Sequence, residues 1–270
     1  MLLHTCQKCF YLFIIIKNHT RLAPPRIIIS LTLKIVINII GEINHFPKGV
    51  IVLPAANPAT YLEPVLDALA LKYPDNKIIN MVCHGHSVPA GYFATPFVNA
   101  FSSYPHFVHK MIAERFPFAV ANVIVTGIGG ENPINGAKRF ERDVLNHNPE
   151  IVSINYGLRN ENDSDNETGA WREMIEKSLK RDIKIILVTP IWNSFYYTLG
   201  EKWDNTFKTA EAIRSLADEY ETGLADAFAA FERYINAGGN LANLLSHVNH
   251  PTETGHRLIA DEFGKYFIAR

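Results

Sequence analysis

Residues 77–91 read KIINMVCHGHSVPAG. The apolar half, Ile78 to Cys83, is too short for a core helix and reads as a buried strand. The second half changes character at once: His84, Gly85, His86 and Ser87 lead into Val88, Pro89, Ala90 and Gly91. A serine in a tight strand-to-helix turn exposes its hydroxyl beside the unpaired N–H groups of a helix start, which suits a nucleophile. The plainer alternative is a helix-capping serine. The nucleophile elbow G-x-S-x-G would need glycine at 89, where Pro89 stands.

Outward from this turn the chain alternates. Residues 61–73 carry Leu62, Val65, Leu66 and Leu69 at helical spacing, and 106–116 repeat the period through Phe107, Val108, Met111 and Ile112. Strand-like runs follow at 120–126, 150–156, 184–190 and 222–227. Helical patterns separate them at 136–147, 170–181 and 209–220, then close the chain after 227 and over 253–268. In 170–181, Trp171, Met174 and Ile175 form the inner face, with Glu173–Lys177 and Glu176–Lys180 as outer pairs. The polar stretch RNENDSDNETG (159–169) reads as an exposed loop. Strands alternating with amphipathic helices predict parallel βαβ units with helices on both sheet faces. Sites in such sheets form beyond the carboxyl ends of the strands.

Those ends carry polar residues. After the second strand comes GIGGEN (127–132), which fails the dinucleotide pattern G-x-G-x-x-G because Asn132 replaces the last glycine. After the third comes Gly157-Leu158-Arg159-Asn160, and His250-Pro251 opens the last helix. A histidine at a helix start is a candidate general base.

Together, in this order over residues 77–268, these fragments resemble the SGNH, or GDSL, hydrolase superfamily. The resemblance implies an α/β fold, a three-layer α/β/α sandwich around a mainly parallel five-stranded sheet of flavodoxin-like type. It makes Ser87 of Gly85-His86-Ser87 the nucleophile and His250 of His247-Val248-Asn249-His250-Pro251 the base. It makes Gly130 a backbone oxyanion donor and aligns 157–160 with the family's G-x-N-D. Three positions depart from the pattern. His86 replaces the aspartate before the serine, Arg159 stands at the oxyanion asparagine with Asn160 one residue later, and His247 replaces the aspartate that orients the base. Losing a side-chain oxyanion donor typically costs about 10²–10³ in kcat, so Arg159 or Asn160 has to fill that place in a fast enzyme. A serine–histidine dyad remains, with a backbone carbonyl as the substitute holder of His250. His86, His247, Asn132 and Trp192 are the residues expected to face substrate; Phe195, Tyr196 and Tyr197 extend an aromatic run beside Trp192.

The expected function is therefore a serine esterase acting on short-acyl esters, with carbohydrate esters favoured. The alternatives are a non-catalytic ligand-binding protein on the same scaffold and a lipid ester hydrolase. No cofactor and no metal is expected. His84 and His86 have no third ligand spaced to join them, and Cys6 and Cys9 have no partner pair. His106 and His109 read as solvated or structural, and Asp226 as a cap. The net charge of −1 gives no global basic surface for nucleic acid. Residues 1–60 read as an N-terminal extension ahead of a hydrolase-like domain over 61–270. The extension's apolar runs, 10–16 and 27–40, fall short of a membrane span, so membrane contact through 10–40 stands only as an option beside extra strands. With no small-residue cleavage site after the first run, the cytoplasm is the expected location.

Overall fold

The computed structural model describes residues 55–156, 164–198 and 200–267. The expectations placed on residues 1–54, and on Gly157, Leu158, Arg159 and Asn160, lie outside them.

Five strands pair in the order β2-β1-β3-β4-β5: β1 (Ile78–Gly85), β2 (Val120–Val125), β3 (Ile151–Asn155), β4 (Lys184–Val188) and β5 (Gly223–Ala225). Every pairing is parallel. β1 and β3 are buried along nearly their whole length, as strands covered on both faces must be. Alternation along β1 divides its side chains between two cores. Ile79, Met81 and Cys83 pack with α1 (Glu63–Leu69), α3 (Tyr104–Arg115) and α8 (Glu253–Gly264). Val82 packs with α4 (Pro133–Asp143), α5 (Ser164–Leu179) and α6 (Glu201–Glu219). The single turn α2 (Ser87–Ala90) and α7 (Ala227–Asn236) lie among them. All the described residues fall in one compact unit, Val52–Arg270. No described helix is long and apolar enough to cross a membrane.

The elements match their sequence pattern closely, with one correction. Residues 164–169, expected as exposed loop, are the first turns of α5. Asp165 and Glu167 sit in the first turn, where carboxylates favour the positive end of the helix dipole, and Glu167 is buried. Polarity there marks a helix start rather than a loop. The Glu173–Lys177 pair forms at 2.7 Å, whereas Glu176 accepts from the Tyr220 hydroxyl at 2.9 Å.

The strand order reverses between β1 and β3, so a crevice opens beyond their carboxyl ends. Gly85 of β1 lies opposite Asn155 of β3 there. A Cβ on Gly85 would fall 2.2 Å from the Asn155 carbonyl oxygen, so this turn admits only glycine. The next residues are His86 and Ser87.

Candidate active site

His86 caps α2: its Nδ1 accepts from the Val88 N–H at 3.1 Å, which leaves Ser87 as the first helical residue. Backbone N–H groups at this position have no partner inside the helix. The capping role weighed for the serine thus falls to the histidine before it, and the Ser87 hydroxyl is free for another partner. That partner is His250, whose Nε2 lies 3.0 Å from Ser87 Oγ.

His250 arrives from the other end of the chain on a pinned loop. Ser246 donates its N–H to the His250 carbonyl at 2.9 Å, and its hydroxyl reaches the His250 and Pro251 carbonyls. Thr252 then caps α8. The Ser194 N–H donates to the Val248 carbonyl at 2.8 Å, tying the loop after β4 to the same segment.

The other ring nitrogen, His250 Nδ1, lies 2.9 Å from the Phe93 carbonyl oxygen, with Thr95 Oγ1 at 3.4 Å. A carbonyl only accepts, so Nδ1 carries the proton and Nε2 is left to accept from the serine. A carbonyl thus occupies the place an orienting carboxylate would take. His247 does not supply that contact; its ring is exposed, 6.2 Å between centroids from His250. Burial lowers the pKa of His250, the Phe93 carbonyl opposes this, and the charge of nearby His247 adds to the lowering. Burial and the neighbouring His250 charge push His86 further, to about 4, so His86 is neutral at pH 7.

Tyr92 backs this arrangement. Its ring lies 5.7 Å from that of His250, and a Cβ on Gly129 would come within 2.8 Å of it. The turn after β2 thus packs against the hydroxyl end of Tyr92. Gly130 in that turn has φ +74°, a left-handed conformation suited to glycine, and is open on its Cα face. Asn132 caps α4, accepting from the Asn135 N–H at 2.9 Å. A shallow pocket opens beside α2, lined by His86, Val88, Asn155, Thr189, Ile191 and Asn249 among others.

Trp192 requires a correction. It is buried and lies 4.7 Å from Tyr196, 4.9 Å from Trp203 and 5.7 Å from Phe228 between ring centroids, in the core rather than at a substrate surface. The segment between α2 and α3 that supplies the Phe93 carbonyl also exposes three phenyl rings, Phe93, Phe97 and Phe101, the last two 70% and 78% exposed. The Phe93 N–H donates to the Phe97 carbonyl, so these two are neighbours across one turn. The three rings stand four residues apart, a spacing that would suit a helix face, but the segment holds only the short turn Ala100–Ser102, and sequence reasoning passed over them. His84, His109 and Asp226 are structural: His84 Nδ1 meets Thr126, His109 meets the Ala121 carbonyl, and Asp226 caps α7.

A parallel 2-1-3-4-5 sheet, with a serine after β1 and a histidine before the last helix, defines the protein as an ester hydrolase of the SGNH class. The sequence profile of the GDSL-like lipase/acylhydrolase family matches residues 83–258, and the chain belongs to that family. No curated protein matches the sequence. Among solved structures, an acetylxylan esterase from Geobacillus stearothermophilus, Axe2, is 20% identical with a TM-score of 0.59, covering 70% of this chain and 94% of its own. A two-domain esterase active on acetylated mannans is 19% identical with a TM-score of 0.59, covering 80% of this chain and 54% of its own. At these identities the likeness is one of fold.

Proposed function

We propose that the protein is a serine esterase that removes short acyl groups, acetyl above all, from carbohydrate esters through an acyl-enzyme. The observation that carries the reading is the Ser87 Oγ–His250 Nε2 distance of 3.0 Å, with Nδ1 held on the Phe93 carbonyl. In the proposed course, Ser87 Oγ attacks the ester carbonyl carbon while its proton passes to His250 Nε2. The oxyanion is met by the N–H groups of Ser87 and Gly130; Arg159 and Asn160 are the candidates for a third donor. Collapse breaks the ester C–O bond, and the imidazolium returns the proton to the leaving alkoxide. Water, deprotonated by His250, then attacks the acyl carbon and releases the acid and free Ser87.

The fold shared with two esterases of acetylated polysaccharides supports acetyl as the acyl group and a sugar as the alcohol. Exposed Phe93, Phe97 and Phe101 offer flat faces on which the C–H face of a sugar ring stacks. His86 is assigned to the pocket wall, and His247 and Asn132 to the rim. The same phenyl rings favour a second reading, an ester with an apolar chain.

The test compares acetate release from acetylated xylo-oligosaccharide and acetylated manno-oligosaccharide with cleavage of p-nitrophenyl acetate, p-nitrophenyl palmitate and a lysophospholipid. Wild type and Ser87→Ala are run side by side. Acetate release from the oligosaccharides, lost in Ser87→Ala, is expected. Preference for palmitate or lysophospholipid selects the second reading. Equal rates in wild type and variant, or no turnover at all, defeat both.

A further inference from the structure

Under the turn that carries Gly130 lies a buried polar chain that the proposed chemistry does not touch. Glu131, the next residue, points its carboxylate inward, where it is almost fully buried with Arg139 of α4. Arg139 Nε donates to both carboxylate oxygens, at 2.8 and 3.0 Å, and a second guanidinium nitrogen adds a further contact. The Tyr156 hydroxyl donates to Glu131 Oε2 at 2.8 Å. That hydroxyl also lies 3.0 Å from His84 Nε2, and His84 Nδ1 lies 2.8 Å from Thr126 Oγ1.

The chemistry fixes the direction of every proton. A carboxylate only accepts, so Tyr156 donates to it and must itself accept from His84 Nε2–H. His84 Nδ1 is then bare and accepts from the Thr126 hydroxyl. Burial and the Arg139 charge push His84 down to about 4, which keeps it in this neutral form.

The chain joins the carboxyl ends of three strands to one residue. Thr126 follows β2, His84 lies in β1 and Tyr156 follows β3; all converge on Glu131. The turn is tied to the serine side as well. The Ile128 N–H donates to the Gly85 carbonyl at 3.0 Å, and a Cβ on Gly127 would fall 2.7 Å from the His86 carbonyl oxygen. The Tyr156 ring meets His86 edge to face, 6.3 Å between centroids.

A buried ion pair is weak evidence for stability, because desolvating two charges offsets most of their attraction and a well-packed apolar pair often does as well. What such a pair provides is a single geometry. We propose that Glu131, Arg139 and Tyr156 are positioning residues: they fix the backbone of Gly130 relative to Ser87 so that its N–H meets the oxyanion. The inference rests on the esterase reading and on the role given there to Gly130.

The experiment uses the full chain with two variants, Tyr156→Phe and the double variant Glu131→Leu/Arg139→Met, which replaces the pair by apolar groups of similar size. Melting temperature, kcat and KM on p-nitrophenyl acetate, and inhibition by phenylboronic acid are measured. Boronic acids add to the serine and set a tetrahedral oxygen where the oxyanion forms, so the inhibition constant reports donor placement separately from ester binding. The double variant is expected to melt within a few degrees of wild type, lose about 10–100-fold in kcat, keep KM within about threefold and bind the boronic acid correspondingly more weakly. Tyr156→Phe is expected to lose about 3–10-fold in kcat with KM unchanged. If the double variant does not fold, Tyr156→Phe decides alone. A folded variant with wild-type kcat and wild-type boronic acid affinity overturns the positioning role and leaves the esterase reading standing. A wild type inert toward p-nitrophenyl acetate overturns both.

Discussion

The two halves of the candidate site are supported in opposite ways. On the base side, the carboxylate the family places near the histidine is missing, and a single backbone carbonyl, Phe93, holds His250 Nδ1. On the Gly130 side, a carboxylate is present and wholly committed, with Glu131 bound by a buried arginine and a buried tyrosine. A carbonyl fixes the tautomer of an imidazole but contributes only a dipole to the imidazolium that forms during reaction. An ion pair in the core fixes geometry strongly and carries no charge to the reacting atoms. The base is thus oriented without being much charge-stabilised, and the oxyanion turn is fixed without being charged.

The sharpest way to break the comparison is to remove the base. His250→Ala should lower kcat on p-nitrophenyl acetate by about 10³-fold or more, because residues acting as a unit lose nearly the whole chemical step together. KM should change little. A loss under tenfold would mean that the Ser87–His250 contact is not the productive one and that the base side needs a different account.

A smaller effect, on stability, tests the buried imidazoles that frame both halves. An unfolded histidine titrates near 6.5, whereas folded His84 and His86 stay neutral down to about 4 and His256 down to about 3, each chiefly through burial. Between those values the unfolded chain binds more protons than the folded one. Stability is therefore complete above pH 6.5 and falls as the pH drops toward 4. Each histidine removes about 2 kcal/mol by pH 5. His256 Nδ1 accepts from the Tyr104 N–H at 3.2 Å, and a glutamine amide oxygen can take that bond. His256→Gln should melt closer to its neutral-pH temperature at pH 5 than wild type does. Superimposable melting profiles from pH 7 to 4.5 would rule out the contribution of His256.

The same contrast explains what the sequence made legible. The strand and turn at 77–91 are local, and periodicity with glycine placement was enough to read them; the roles of Ser87 and His250 were read only from the order of the fragments that resemble the SGNH family. That a backbone carbonyl would hold His250 was expected, but not which one, because Phe93 acts through its backbone and its side chain carries no sign of the role. Tyr156, Glu131 and Arg139 come from three separate elements, and only the sheet order brings them together. Trp192 misled for a related reason. An aromatic run after a strand has the same pattern whether it turns to solvent or inward, and here Trp203 and Phe228, distant in sequence, close over it.

The smallest predicted effect restores what the base side lacks. His247→Asp recreates the family's aspartate three residues before His250, and its charge would replace a neighbour that now helps to lower the His250 pKa. The base must be neutral to accept the Ser87 proton, so kcat/KM of wild type rises with pH through a value below 6.5 and is flat above it. A negative charge favours the imidazolium, so the variant's acidic limb should move to higher pH. The exposed position of residue 247 keeps the shift small, through solvent and salt screening. The plateau rate should rise by less than about threefold, because the Phe93 carbonyl already takes the Nδ1 proton at 2.9 Å. A rise of a hundredfold would show that the aspartate displaces the carbonyl and that charge, rather than orientation, limits the dyad. A limb that does not move would show that residue 247 does not act on His250 electrostatically.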